Sequence, residues 1–136
     1  MTAASDEDLV TVPSRFSAAD TVERLLTLLK SRHVTVFAKV DHAANAASVG
    51  LTLRPTVVII FGDPKVGTAL MQDRQSAGID LPSKILVWED EAGKVWLGYY
   101  TAATVAQRHG LGAASAQSIG KLDAGMTAMA QAVAQG

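Results

Sequence analysis

Cysteine is absent from the 136 residues, which excludes disulfides, thiolate catalysis and cysteine zinc sites and fits a reducing compartment. An excess of one charge is lacking too: 12 basic residues face 13 acidic ones, for a net charge of -1. A field that weak recruits neither nucleic acid nor an anionic lipid surface, so neither is an expected partner. No apolar run approaches the roughly 20 residues of a membrane span. The first residues hold no basic stretch followed by an apolar one, so no secretory signal is expected and the cytoplasm is the expected location. Internal repeats and dividing linkers are also missing. One domain is expected over residues 9–136, preceded by a disordered terminus at residues 1–8.

What is present is an apolar fraction of 49%, much of it alanine, which buries little area per residue. The larger apolar side chains cluster in short segments that must make the core. Leu9 to Phe16 reads as an edge strand interrupted by Pro13. Ser17 opens a helix through a near-capping box with Asp20, and Val22, Leu25, Leu26 and Leu29 form its apolar stripe. Val34 to Val40 reads as a strand with Val34, Val36, Ala38 and Val40 on one face and Phe37 and Lys39 on the other. Asp41 caps a short helix to Val49, and Thr56 to Phe61 is a central strand between Pro55 and Gly62. Gly62 to Gly67 is expected as a loop and Thr68 to Gln75 as a helix. Ser83 to Glu89 and Lys94 to Tyr100 form a hairpin around Asp90 to Gly93. Thr101 then caps a helix ending at His109 and Gly110, and Ile119, Leu122, Met126, Met129 and Val133 make a seam on a last long helix. The order is strand, helix, four strands with helical insertions, helix. It specifies an α+β fold: an antiparallel sheet of about five strands with helices packed on one face.

Three stretches resemble, in order, the signature blocks of the domain of unknown function 302 family: Phe37 to Ala46, Leu53 to Met71 and Ile79 to Asp90. The resemblance extends from about Val10 to Leu111. Two positions depart from it, Asp63 where the family has the asparagine of Gly-Asn-Pro, and His33 where a glycine is expected before the second strand. The resemblance implies a fold similar to the TATA-binding-protein-like class and no established reaction. A fold shared with a DNA-binding protein is analogy only, and the neutral charge opposes that use.

A few polar residues exceed what the fold requires. His42 sits where a strand meets a helix start, as a candidate general base or ligand residue, against the simpler reading of a structural hydrogen bond beside the Asp41 cap. Gly62 to Thr68 copies the glycine spacing of a phosphate loop but lacks its Lys-Ser/Thr. An anion could still rest there with Asp63 and Lys65 at hand, although a tight turn explains the residues equally. Asp80, between two apolar residues, needs a cation such as Lys84, Lys39 or Arg54, and is the second catalytic candidate. The three histidines lack metal-ligand spacing, so no locally assembled metal site is expected. The favoured function is a small binding or accessory module holding a small ligand or protein partner between sheet and last helix, the ligand-binding candidates being Lys39, His42, Asp63 and Lys65. The alternatives are a small enzyme using His42 with Lys39, Asp63 or Asp80, and a metal or haem protein using His42. Trp88, Trp96, Tyr99 and Tyr100 on the hairpin, with the methionines of the last helix, suggest a homodimer. His42, the Asp63–Lys65 loop and Asp80 are expected to meet at one end of the sheet.

Overall fold

The computed structural model describes residues 8–136, so the disordered terminus expected at residues 1–8 falls almost wholly outside the described residues. Five strands, β1 (Leu9–Ser14), β2 (Thr35–Asp41), β3 (Thr56–Gly62), β4 (Ser83–Glu89) and β5 (Val95–Tyr100), form one sheet in the order β1-β5-β4-β3-β2. Every neighbouring pair is antiparallel. The helices are α1 (Ala18–Ser31), α2 (His42–Ser48), α3 (Pro64–Asp73), α4 (Ala102–His109) and α5 (Ala116–Gln135), with a 3₁₀ turn at Gln75–Ile79.

Strand alternation decides which side chains enter the core. Along β3, Val57, Ile59 and Phe61 are buried while Val58 and Ile60 stay half-buried, and Ile85, Val87, Leu97 and Tyr99 join the first set. Helix α1 covers this set. Ser17 starts it by accepting the Asp20 amide at 3.1 Å, and Leu25 and Leu29 then reach the core with no exposure, each worth about 1.5–3 kcal/mol. Helix α5 lies beside it, burying Met129, Ala130 and Val133. The carbonyls at its C-terminal end receive the guanidinium groups of Arg24 (to Ala132 and Val133) and Arg15 (to Gln135), a favourable place for cations. The opposite face of the sheet carries Val58, Ile60, Leu86, Trp88 and Trp96, all half-buried. The two indoles stack with centroids 6.5 Å apart.

Two local expectations are corrected. In β2 the register slips between Val36 and Ala38, so Val36 pairs with Phe61 but Ala38 pairs with Ile60 and Val40 with Val58. A bulge at Phe37 therefore splits the set read as one face: Val36 lies on the helix-bearing side and Ala38 and Val40 on the other. Phe37 itself is 51% exposed. Second, the segment after β3 is not a loop to Gly67. Asp63 accepts the Lys65 amide at 2.9 Å, Pro64 occupies the first helical position and α3 runs from there. Proline needs no N–H partner at that position, so Asp-Pro reads as a helix start, and Gly67 lies inside the helix where a phosphate loop would be open.

The hairpin is locked by Asp90. Its carboxylate accepts the Ala92 and Lys94 amides and the Trp96 indole N–H, while Gly93 takes the positive φ (82°) of the turn. These bonds, the indole's first, hold the Asp90 carboxyl below the usual carboxylate range.

Candidate functional site

Helices α3 and α4, with the 3₁₀ turn, gather at the end of the sheet where β3 leaves and β4 enters. There a cleft of about 600 Å³ opens between the sheet and α5, within the size range of small-molecule sites. Phe61 and Tyr99 come from the sheet, Val105 from α4, and Leu122, Met126 and Met129 from α5. Val58, Leu86 and Tyr100 of the other sheet face also line it, so the cleft reaches both sides of the sheet. A smaller recess of about 270 Å³ adjoins it beneath α3, sharing Gly62, Asp63, Leu70 and Leu122.

Charged groups edge the apolar walls. Asp80 follows the 3₁₀ turn and accepts Arg108 at 2.9 Å on one carboxylate oxygen and meets His109 Nε2 at 2.6 Å on the other. Burial is the largest single influence on this carboxyl and pushes it up, but the hydrogen bonds from His109 and Arg108 together outweigh it, so Asp80 ionises more readily than a free aspartate. The far nitrogen of His109, Nδ1, lies 2.9 Å from Ser76 Oγ. With the proton on Nε2, the imidazole accepts from the serine, giving a Ser76–His109–Asp80 chain. Such a chain can polarise a hydroxyl. Ser76, however, is exposed and lines neither cleft, and the arrangement ties the 3₁₀ turn to α4. Asp123 of α5 makes a second tie, accepting the Ala102 and Ala103 amides at 2.6 and 3.1 Å and satisfying free donors at the start of α4. A third comes from Asp73, held below its usual range by the Ser115 hydroxyl and then by the Gly112 amide.

The candidates read from sequence are only partly brought together. Asp63 and Asp80 share an end of the sheet because Phe61 of β3 pairs with Ser83 of β4, and both line the cleft. His42 does not join them as a compact cluster. It follows Asp41, which pairs with Val57, whereas Asp63 follows Gly62. Five strand rises, roughly 17 Å, lie between those positions. His42 is exposed and touches the cleft only at another part of its length. Asp41 caps α2 as expected, accepting the Ala44 amide at 2.9 Å. Lys39 and Lys65 are exposed and line neither cleft. The partner of Asp80 is also corrected: Lys84 reaches its backbone carbonyl at 3.4 Å, and Arg54 turns to the Glu89 carbonyl, while the carboxylate belongs to Arg108 and His109. Among the described residues no three histidine, aspartate or glutamate side chains are grouped to hold a metal ion, and no helix is long and apolar enough to cross a membrane.

An antiparallel sheet in this order, with helices on one face and a cleft beneath the last helix, defines an α+β domain. The family model described as "Domain of unknown function DUF302" matches residues 10–129, and the chain belongs to that family. The crystal structure of an uncharacterized conserved DUF302 protein from Bacillus stearothermophilus has the same fold, with a TM-score of 0.82 at 18% identity over 96% of this chain and 100% of that one. Two curated proteins, each named Fluoride-specific ion channel FluC 1, from Brucella suis biovar 1 and Brucella abortus biovar 1, are 53% identical over 110 residues. The match covers 81% of this chain but only 43% and 41% of theirs, so the chain spans little more than two-fifths of the length of these relatives.

Proposed function

We propose that this chain is a binding module that holds a small, largely apolar molecule in the cleft between its sheet and α5. The observation that carries this is the cleft of about 600 Å³, walled by aromatic, aliphatic and thioether side chains and edged by charge. A cytoplasmic setting is part of the same proposal, supported by the absence of cysteine. The enzyme alternative has less behind it. His42 is exposed and set along the strand from the acids, and the Asp80 carboxylate is engaged on both oxygens. For a metal on His42, no group of three or more histidine, aspartate or glutamate side chains is gathered among the described residues to hold it. The test is binding of the neutral fluorophore N-phenyl-1-naphthylamine, with native mass spectrometry of the untagged protein for a retained molecule. Binding is expected to be saturable and to be lost in Met126→Trp, which fills the cleft with the fold intact. Binding unchanged in that variant would overturn the assignment.

The Brucella relatives favour an accessory role. In them a region 53% identical to this chain is part of a longer protein named as a fluoride channel. A fluoride ion is too small to cover the leucine and methionine walls of the cleft, which suit a larger, largely apolar molecule. We therefore assign the cleft to another molecule, whose occupancy would be passed to a channel. Fluoride-19 NMR should give no site on the isolated chain, and a saturable fluoride site would refute this role. The homodimer is also a proposal, now placed on the open sheet face with its stacked indoles, because Met129 of α5 is already buried. Sedimentation at tens of micromolar showing only monomer would remove it.

A further inference from the structure

We infer that the occupant of the cleft is an anionic amphiphile, an acyl chain or ring system ending in a carboxylate or comparable anion. This rests on the cleft being a binding site and adds the chemical class of what it takes. Four cationic side chains line it, Arg32, Lys84, Arg108 and Lys121, against three carboxylates, Asp63, Asp80 and Asp123. Each carboxylate is already engaged. Asp63 faces the Lys65 amide at the start of α3, Asp123 faces two amides at the start of α4, and Asp80 holds Arg108 and His109. Helix N-termini carry partial positive charge, so the first two carboxylates are compensated where they stand. Three of the four cations are not. Arg108 has its partner, but Lys84 reaches only the carbonyls of Asp80 and Pro82. The side chains of Arg32 and Lys121 meet no hydrogen-bond or ion-pair partner among the described residues. A chain whose overall charge is -1 thus turns three cations without a carboxylate toward one apolar cleft. An anionic head pairs with a cation of this set while its apolar body replaces water against Met126, Leu122 and Tyr99.

The experiment compares three ligands with the same ten-carbon chain, decanoate, decanol and decyltrimethylammonium, each below its micelle concentration, as competitors for N-phenyl-1-naphthylamine. Decanoate is expected to compete about tenfold better than the ammonium, with the advantage shrinking as salt is raised. Arg32→Gln with Lys121→Gln should narrow the difference between the charged ligands while leaving decanol unchanged, and Arg32→Glu with Lys121→Glu should reverse the preference. Both residues are exposed, so the fold is expected to tolerate these changes. Equal competition, or a preference for the ammonium, overturns the anionic class and leaves the binding site standing. A protein that takes up none of the ligands and no fluorophore overturns the binding site and the class together.

Discussion

Replacing Gly98 by alanine should cost stability through one side chain that can be named in advance. Gly98 faces the open side of the sheet, paired with Leu86, and the outer ring of Trp88 lies across it. A Cβ at that position would stand 2.7 Å from Trp88 Cζ3 and 3.0 Å from Cη2, closer than carbon atoms approach. The Trp88 ring is stacked on Trp96 at an interplanar angle of 22°, so displacing it disturbs that stack. Overpacking of this kind costs about 1–3 kcal/mol. Alanine recovers about 0.5–1 kcal/mol of the unfolded-state entropy that glycine carries. The net expectation is a loss of about 1 kcal/mol at the middle of these ranges and up to about 2.5 kcal/mol, or several degrees in Tm for a domain of this length. Gly120→Ala is the control: it lies inside α5 with nothing within 4 Å of an added Cβ. That variant should gain about 0.5–1 kcal/mol. Urea unfolding followed by tryptophan emission measures both, and since Trp88 and Trp96 are the chain's 2 tryptophans, the native emission also reports a displaced ring. A Gly98→Ala protein as stable as the parent, with unchanged emission, would refute the packing account.

His33 holds a φ of 57° after α1, so His33→Gly should stabilise the fold by about 0.5–1 kcal/mol, the left-handed penalty less the entropy of glycine, and a loss in thermal melts would refute this. The Asp80 carboxyl titrates lower in the folded chain than its ordinary value. Its contribution is present above about pH 4 and is lost as pH falls through the folded pKa. The urea midpoint of Asp80→Asn should therefore be lower than the parent's at neutral pH and converge with it in acid, and a constant gap down to about pH 2 would refute the assignment.

Most of the fold was legible because local signals agreed with one another. Ser17, Asp41 and Thr101 cap the helices that follow them, and Gly93 and Gly110 take the positive φ their turns require. His33 shows the same rule from the other side: a histidine occupies the conformation for which the family resemblance led us to expect glycine. The bulge at Phe37 was not legible, since alternation of apolar residues continues through it and only pairing with β3 reveals the slip. The start of α3 was legible in Asp63-Pro64 but was masked by two glycines that suggested a loop. At the candidate site, sequence marked Asp80 as a carboxylate needing a cation. It did not supply Arg108, which is 28 residues away on a helix brought back by the hairpin. Nor could it separate His42 from the acids without the register of β2 on β3.

The two outer strands bear on how this protein behaves when crowded. A five-stranded sheet that does not close leaves two rows of backbone groups able to recruit a strand from another molecule. On β1, Pro13 removes a donor; on β2, the bulge breaks the spacing of the row and the exposed Lys39 adds a charge. Neither margin offers the flat, continuous ladder on which fibrils grow, so the molecule can keep an apolar sheet face open without inviting strand-by-strand aggregation from its sides.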